Sequence, residues 1–136
     1  VEIRFDGRVA VVTGAGGGLG RGHALLLASR GAKVVVNDPG GAVDGSGGGS
    51  AAADKVVAEI KAAGGTAIAN YASVADAKAA EGMIAAALSA WGRVDVLINN
   101  AGILRDKTFA KMSLEEFEAV TRVHFLGSVY ATKAAW

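Results

Sequence analysis

The residues best placed to do chemistry are Thr13-Gly14-Ala15-Gly16-Gly17-Gly18-Leu19-Gly20. Their spacing is T-G-x-x-x-G-x-G, with Gly14, Gly18 and Gly20 as the motif glycines, and the six-residue G-x-G-x-x-G spacing is absent. A strand that turns on glycines into a helix forms a phosphate cradle. Glycine tolerates the turn and lets a pyrophosphate approach the main chain. The helix N-terminus adds free N–H groups and a partial positive charge. A second group, Asp38, lies 18 residues after Gly20, at the end of an apolar run. A carboxylate there accepts hydrogen bonds from ribose hydroxyls and repels a 2′-phosphate. Its neighbour Pro39 and the turn residue Gly17 carry no charge, and no Arg or Lys stands where a 2′-phosphate would need one. The pattern therefore selects NAD(H) over NADP(H).

These groups need elements to hold them. Arg8–Thr13 is short, Val-rich and bounded by Gly7 and Gly14, which predicts a buried strand. Residues 18–30 predict a helix with Leu19, Ala24, Leu26 and Leu27 on its apolar face and Gly31 as its stop. Strands follow at Lys33–Asn37, Thr66–Asn70 and Val94–Ile98. Helices are expected at 51–63, with Ser50 as cap, and at 76–91, ending at Gly92. Residues 40–50 are rich in Gly and read as a loop, either a surface insertion or part of a site. Ser113-Leu114-Glu115-Glu116 is a capping-box pattern that opens a long helix, 114–135. That helix carries two apolar stripes, one with Phe117, Thr121, His124 and Phe125, the other with Val123, Leu126, Tyr130 and Ala134. Two stripes predict a buried helix or a subunit contact. Strand–helix alternation of this kind makes a doubly wound parallel α/β sheet of the Rossmann type, with expected strand order 3-2-1-4.

Composition narrows the classes. At 136 residues the chain is one domain or part of one. A net charge of +1 without a basic block argues against a nucleic-acid partner. The apolar runs are too short to span a bilayer, so no membrane role is expected. With no cysteine there is neither a disulfide nor a thiolate metal site.

Together, Thr13–Gly20 and Asn99-Asn100-Ala101-Gly102 after the fourth strand resemble the short-chain dehydrogenase/reductase family. Within it, Arg4–Arg8, Val34–Asp38, Ala52–Val57, Asn99–Lys107 and Arg122-Val123-His124 are similar to the branch formed by the (3R)-hydroxyacyl-CoA dehydrogenase domains of multifunctional enzymes. The resemblance implies that Gly14, Gly16, Gly18, Leu19 and Gly20 line the pyrophosphate and adjoining ribose of NAD, and that Asp38 binds the adenosine ribose. It implies that Ser73 and Val74 border the adenine, and that Asn99, Ala101 and Gly102 lie along the nicotinamide. Two positions depart from the family pattern. Ala72 stands where many members carry an Asp that meets the adenine, and His124 stands where many carry an Asn of a proton relay. His124 is left with a supporting role. The stripes of the long helix predict a homo-oligomer through it, at Val123, Leu126 and Tyr130, and the expected location is the cytoplasm for a bacterial protein or the peroxisome for a eukaryotic one.

The family's proton chemistry uses a Ser and a Tyr-x-x-x-Lys pair. Tyr130 and Lys133 are only three apart, and Tyr71 has no Lys four residues on. No catalytic residue is therefore assigned in this chain. It is read as an NAD-binding domain over 1–136, incomplete at its C-terminus. The implied activity is hydride transfer from a secondary alcohol, a 3-hydroxyacyl thioester, to NAD. The alternatives are a dehydrogenase for a steroid, sugar or other alcohol, and a dinucleotide-binding module without catalysis.

Overall fold

The computed structural model describes residues 1–136. Four parallel strands form one sheet: β1 (Val9–Val12), β2 (Lys33–Asn37), β3 (Thr66–Asn70) and β4 (Val96–Ile98). Their spatial order is β3-β2-β1-β4, as the alternation required. The order reverses beside β1, which is where open α/β sheets bind ligands.

Side chains alternate across a strand, so the Val-rich segments feed two cores at once. Ala10, Val12, Val34 and Val36 pack against α1 (Gly18–Ser29) and α2 (Ala51–Ala62), together with Leu27, Val56 and Ile60. Val9, Val11 and Val35 face the other way, onto Met83, Ile84 and Ala87 of α3 (Ala77–Trp91) and Ala131 of α5 (Gly127–Ala135). Helices on both faces explain why the strands are apolar throughout rather than alternating.

Several helix ends follow local chemistry. Asp76 caps α3 by accepting from Ala79 N at 2.7 Å, and Gly92 ends it in the left-handed region at φ 76°. Ser113 and Glu116 form the expected capping box at the start of α4 (Leu114–Thr121). Ser50 does not cap α2: its backbone is already helical, φ −94° and ψ −19°, and its side chain makes no cap bond.

Two expectations are corrected. On α1 only Gly20, Ala24, Leu27 and Ala28 are buried, while Leu19 and Leu26 face solvent. The face of α1 turned to the strands is made by Ala24, Leu27 and Ala28, with Leu25 partly buried against the same core. Of the two readings of the long helix, the buried one is corrected, since only Gly127 and Ala131 on it are buried, and the subunit contact stays open. The helix runs as α4, a π-helical turn at Arg122–Leu126, and α5, with Leu114, Phe117, Phe125 and Val129 exposed. No helix is long and apolar enough to cross a membrane.

Candidate functional site

The site lies over the C-terminal ends of β1, β2 and β4. Thr13 is 1% exposed and closes β1. Its Oγ1 accepts from Asn100 N at 3.0 Å and Ala101 N at 2.9 Å. In return, Asn100 Nδ2 donates to Thr13 O and Gly14 O, both at 3.0 Å. One hydroxyl and one carboxamide thus stitch the glycine turn to the segment after β4.

The glycines are required by approach. Gly14 adopts φ +62°, and a Cβ there would stand 2.8 Å from Ala101 Cα. A Cβ on Gly20 would come within 2.3 Å of Gly14 O and 2.4 Å of Asn100 Nδ2, so only glycine lets α1 start this close to the turn. The first turn of α1 has no side-chain cap and no acidic residue. Its N–H groups and partial positive charge remain available to an anion.

Asp38 is half-buried beside this turn. Its Oδ2 accepts from Gly16 N at 2.9 Å and its Oδ1 from Gly40 N at 2.7 Å. A Cβ on Gly16 would stand 2.7 Å from Asp38 Oδ2. The carboxylate is therefore held against the glycine turn with lone pairs to spare for hydroxyl donors.

These elements border one cleft of about 750 Å³, in the size range of small-molecule sites. Gly14, Gly16, Gly18, Asp38, Ser73, Val74, Ala101 and Gly102 line it. Gly20 lies beneath, packed on Gly14 and Asn100, and Leu19 points outward at 78% exposure. Asn99 turns away from the cleft, where its Nδ2 donates to Thr132 Oγ1 at 3.0 Å. Asn100 lines the cleft in its place. Sequence reasoning named neither Thr13 as a stitch nor Asn100 as its partner. A Thr at a strand end is a weak signal, because its use depends on residues more than 80 positions away.

His124 sits in the π-helical turn, beside the cleft wall. Its Nε2 is 3.1 Å from Ile103 N and 2.9 Å from Ile103 O. One tautomer accepts from the amide and the other donates to the carbonyl. The ring fits only because residue 102 is glycine: a Cβ there would be 2.7 Å from His124 Cε1. His124 therefore tethers the segment after β4 to the long helix.

The Gly-rich loop folds over rather than standing free. Leu104 N donates to Val43 O at 2.8 Å, and Arg105 Nε donates to Asp44 O at 3.0 Å. Gly41, Ala42, Val43, Gly45 and Gly47 supply part of the cleft wall. Among the side chains, no cluster of three or more His, Cys, Asp or Glu could hold a metal.

A parallel α/β sheet with an uncapped helix behind a glycine turn and an acid at the end of the second strand defines a nucleotide-binding class of protein. The pattern described as short chain dehydrogenase matches residues 8–136, so the chain belongs to the short-chain dehydrogenase/reductase family, whose members are oxidoreductases that bind a nicotinamide dinucleotide. It is 58% identical over 134 residues to peroxisomal multifunctional enzyme type 2 of Mus musculus, covering 98% of this chain and 18% of that protein. It is 59% identical over 135 residues to peroxisomal hydratase-dehydrogenase-epimerase of Saccharomyces cerevisiae, covering 99% of this chain and 15% of that protein. Among solved structures, a short chain dehydrogenase from Mycobacterium avium superposes with TM-score 0.87 at 55% identity, over 96% of this chain and 46% of that one. A hydroxysteroid dehydrogenase from Escherichia coli gives TM-score 0.87 at 32% identity, over 97% and 52%. The chain thus spans less than a fifth of those multifunctional relatives and about half of those dehydrogenases.

Proposed function

We propose that this chain is the NAD-binding part of a dehydrogenase that oxidises a 3-hydroxyacyl thioester by hydride transfer to NAD. The observation that carries the cofactor choice is Asp38, whose carboxylate is fixed at the end of β2 by Gly16 N and Gly40 N. There it accepts from the adenosine ribose hydroxyls and repels a 2′-phosphate. The pyrophosphate lies on the uncapped N-terminus of α1, with Gly14, Gly16 and Gly18 against it, and Ala101 and Gly102 run toward the nicotinamide. Hydride chemistry belongs to the dinucleotide; the protein binds and orients it. These residues hold no Tyr-x-x-x-Lys pair, so the reading assigns them cofactor binding and no proton transfer.

The thioester substrate is supported by the similarity to the multifunctional enzymes. The 32% identity to a hydroxysteroid dehydrogenase favours a steroid or other secondary alcohol as the second reading. Exposed Leu114, Phe117, Phe125 and Val129 support a homo-oligomer through the long helix. The peroxisomal relatives support a peroxisomal location for a eukaryotic protein. In the full-length protein, Asp38→Ala is expected to weaken NADH binding about tenfold, roughly 1.4 kcal/mol, and to narrow the gap to NADPH. Unchanged NADH/NADPH selectivity on titration contradicts the ribose assignment.

A further inference from the structure

β2 ends in a residue that burial alone does not explain. Val34, Val35 and Val36 are buried, and Asn37 follows them at 0% exposure. An apolar side chain in that slot would carry no desolvation cost. Instead, Asn37 Nδ2 donates to Asn70 Oδ1 and to Ala72 O, each at 2.9 Å. Asn70 Oδ1 also accepts from Ala72 N at 3.0 Å. Two carboxamides therefore tie both backbone groups of Ala72 to the ends of β2 and β3. The amide orientation follows from these partners, because a flipped Asn37 would set its oxygen against two acceptors.

The residue so held leads directly into a wall of the cleft. Ser73 and Val74 line it, and Val74 is buried against Gly127, where a Cβ would stand 2.7 Å from Val74 Cγ2. Ser73 supplies the one polar side chain of this wall, and its Oγ already accepts from Ala75 N at 3.3 Å, so main-chain groups, whose placement decides their use, carry much of the recognition there. β3 lies outside β2 in the sheet. A ligand that runs from the glycine turn across Asp38 therefore reaches residues 72–74 next, and in a dinucleotide that part is the adenine.

We infer that Asn37 and Asn70 are positioning residues for adenine: without touching it, they fix Ala72 and so the backbone of Ser73 and Val74, which line its pocket. The inference rests on the dinucleotide reading above. It makes the adenine half of the affinity depend on this pair and leaves the nicotinamide half independent of it.

The test is a fluorescence titration of the full-length protein with NADH and with reduced nicotinamide mononucleotide, which lacks the adenosine half. Asn70→Ala removes the shared acceptor at a half-buried position. Asn70→Asp keeps an oxygen there. Asn70→Ala is expected to weaken NADH binding about tenfold and to leave the mononucleotide within about twofold. Asn70→Asp is expected to restore NADH binding to within about threefold of wild type. Equal losses for both ligands, no loss for either, or an Asn70→Asp variant as weak as Asn70→Ala overturns the inference while the dinucleotide reading stands. Wild-type protein that binds no NADH overturns both.

Discussion

Replacing Thr13 by Val separates hydrogen bonding from shape at the centre of the site. Thr13 is buried, and valine fills the same volume, so no cavity opens. What disappears is the oxygen that receives Ala101 N at 2.9 Å and Asn100 N at 3.0 Å. The two amides fare differently. Asn100 N keeps a second acceptor, Ile98 O at 3.0 Å, whereas no other protein acceptor takes Ala101 N. One amide, part-buried at the cleft, loses its protein acceptor and the other is weakened, and the hydroxyl's own donation to Ile98 O at 3.4 Å goes with them, at a combined cost of about 1–3 kcal/mol. We expect a loss of about 2 kcal/mol in urea denaturation and a Tm lower by roughly 6–10 °C for a domain of this size. Thr13→Ser keeps the oxygen and loses one methyl, which costs about 1 kcal/mol. NADH affinity should fall with Thr13→Val and hold with Thr13→Ser, because only the former frees the Asn100–Gly102 segment. A Val variant as stable as wild type, or a Ser variant that loses more than the Val variant, refutes the reasoning.

Gly20→Ala and Gly22→Ala, both on α1, should differ in sign. At Gly20 the methyl meets Gly14 O at 2.3 Å and should cost about 1–3 kcal/mol, whereas at Gly22 it meets nothing within 4 Å and should gain about 0.5–1 kcal/mol. Thermal denaturation of the two variants checks this, and equal Tm values contradict it. Asp95 joins β1 to β4 by accepting from Val9 N at 2.8 Å beside Arg93, and Arg93 first, then Val9 N, holds its carboxyl below the ordinary value of 3.8. A lowered carboxyl stabilises the fold above its unfolded pKa and loses that contribution as pH falls through the folded value. Asp95→Asn should therefore be less stable than wild type at neutral pH, with the difference shrinking below about pH 4; a constant difference in pH-dependent unfolding excludes the linkage.

The sheet was legible in the chain because its information is local. Val9–Val12 and Lys33–Asn37 are short apolar runs closed by turn residues, and Gly31 and Gly92 mark helix ends whose backbone demands glycine. The strand order followed from the handedness of parallel crossovers. The glycine turn and Asp38 were legible through spacing, and the structure brings them within 2.9 Å. The stitching by Thr13 and Asn100 was not, since it joins residues far apart in the chain. Adjacent strand-end residues point to opposite sides, so the motif alone does not say which of Asn99 and Asn100 enters the cleft. The solvent-facing Leu19 and Leu26 escaped a periodicity argument because Ala24, Leu27 and Ala28, with Leu25 partly buried, already form the face α1 turns to the strands. The π-helical turn at Arg122–Leu126 left no mark in the pattern of apolar residues. It accompanies the contact of His124 with Ile103, a tertiary demand.

The central claim is that the cleft of Gly14, Gly16, Gly18 and Asp38 holds NAD rather than NADP. Calorimetric titration of the full-length protein with NADH and with NADPH tests it most directly. Saturable 1:1 binding of NADH is expected, tighter than NADPH by at least about tenfold, roughly 1.4 kcal/mol. Equal affinity, or a preference for NADPH, contradicts it.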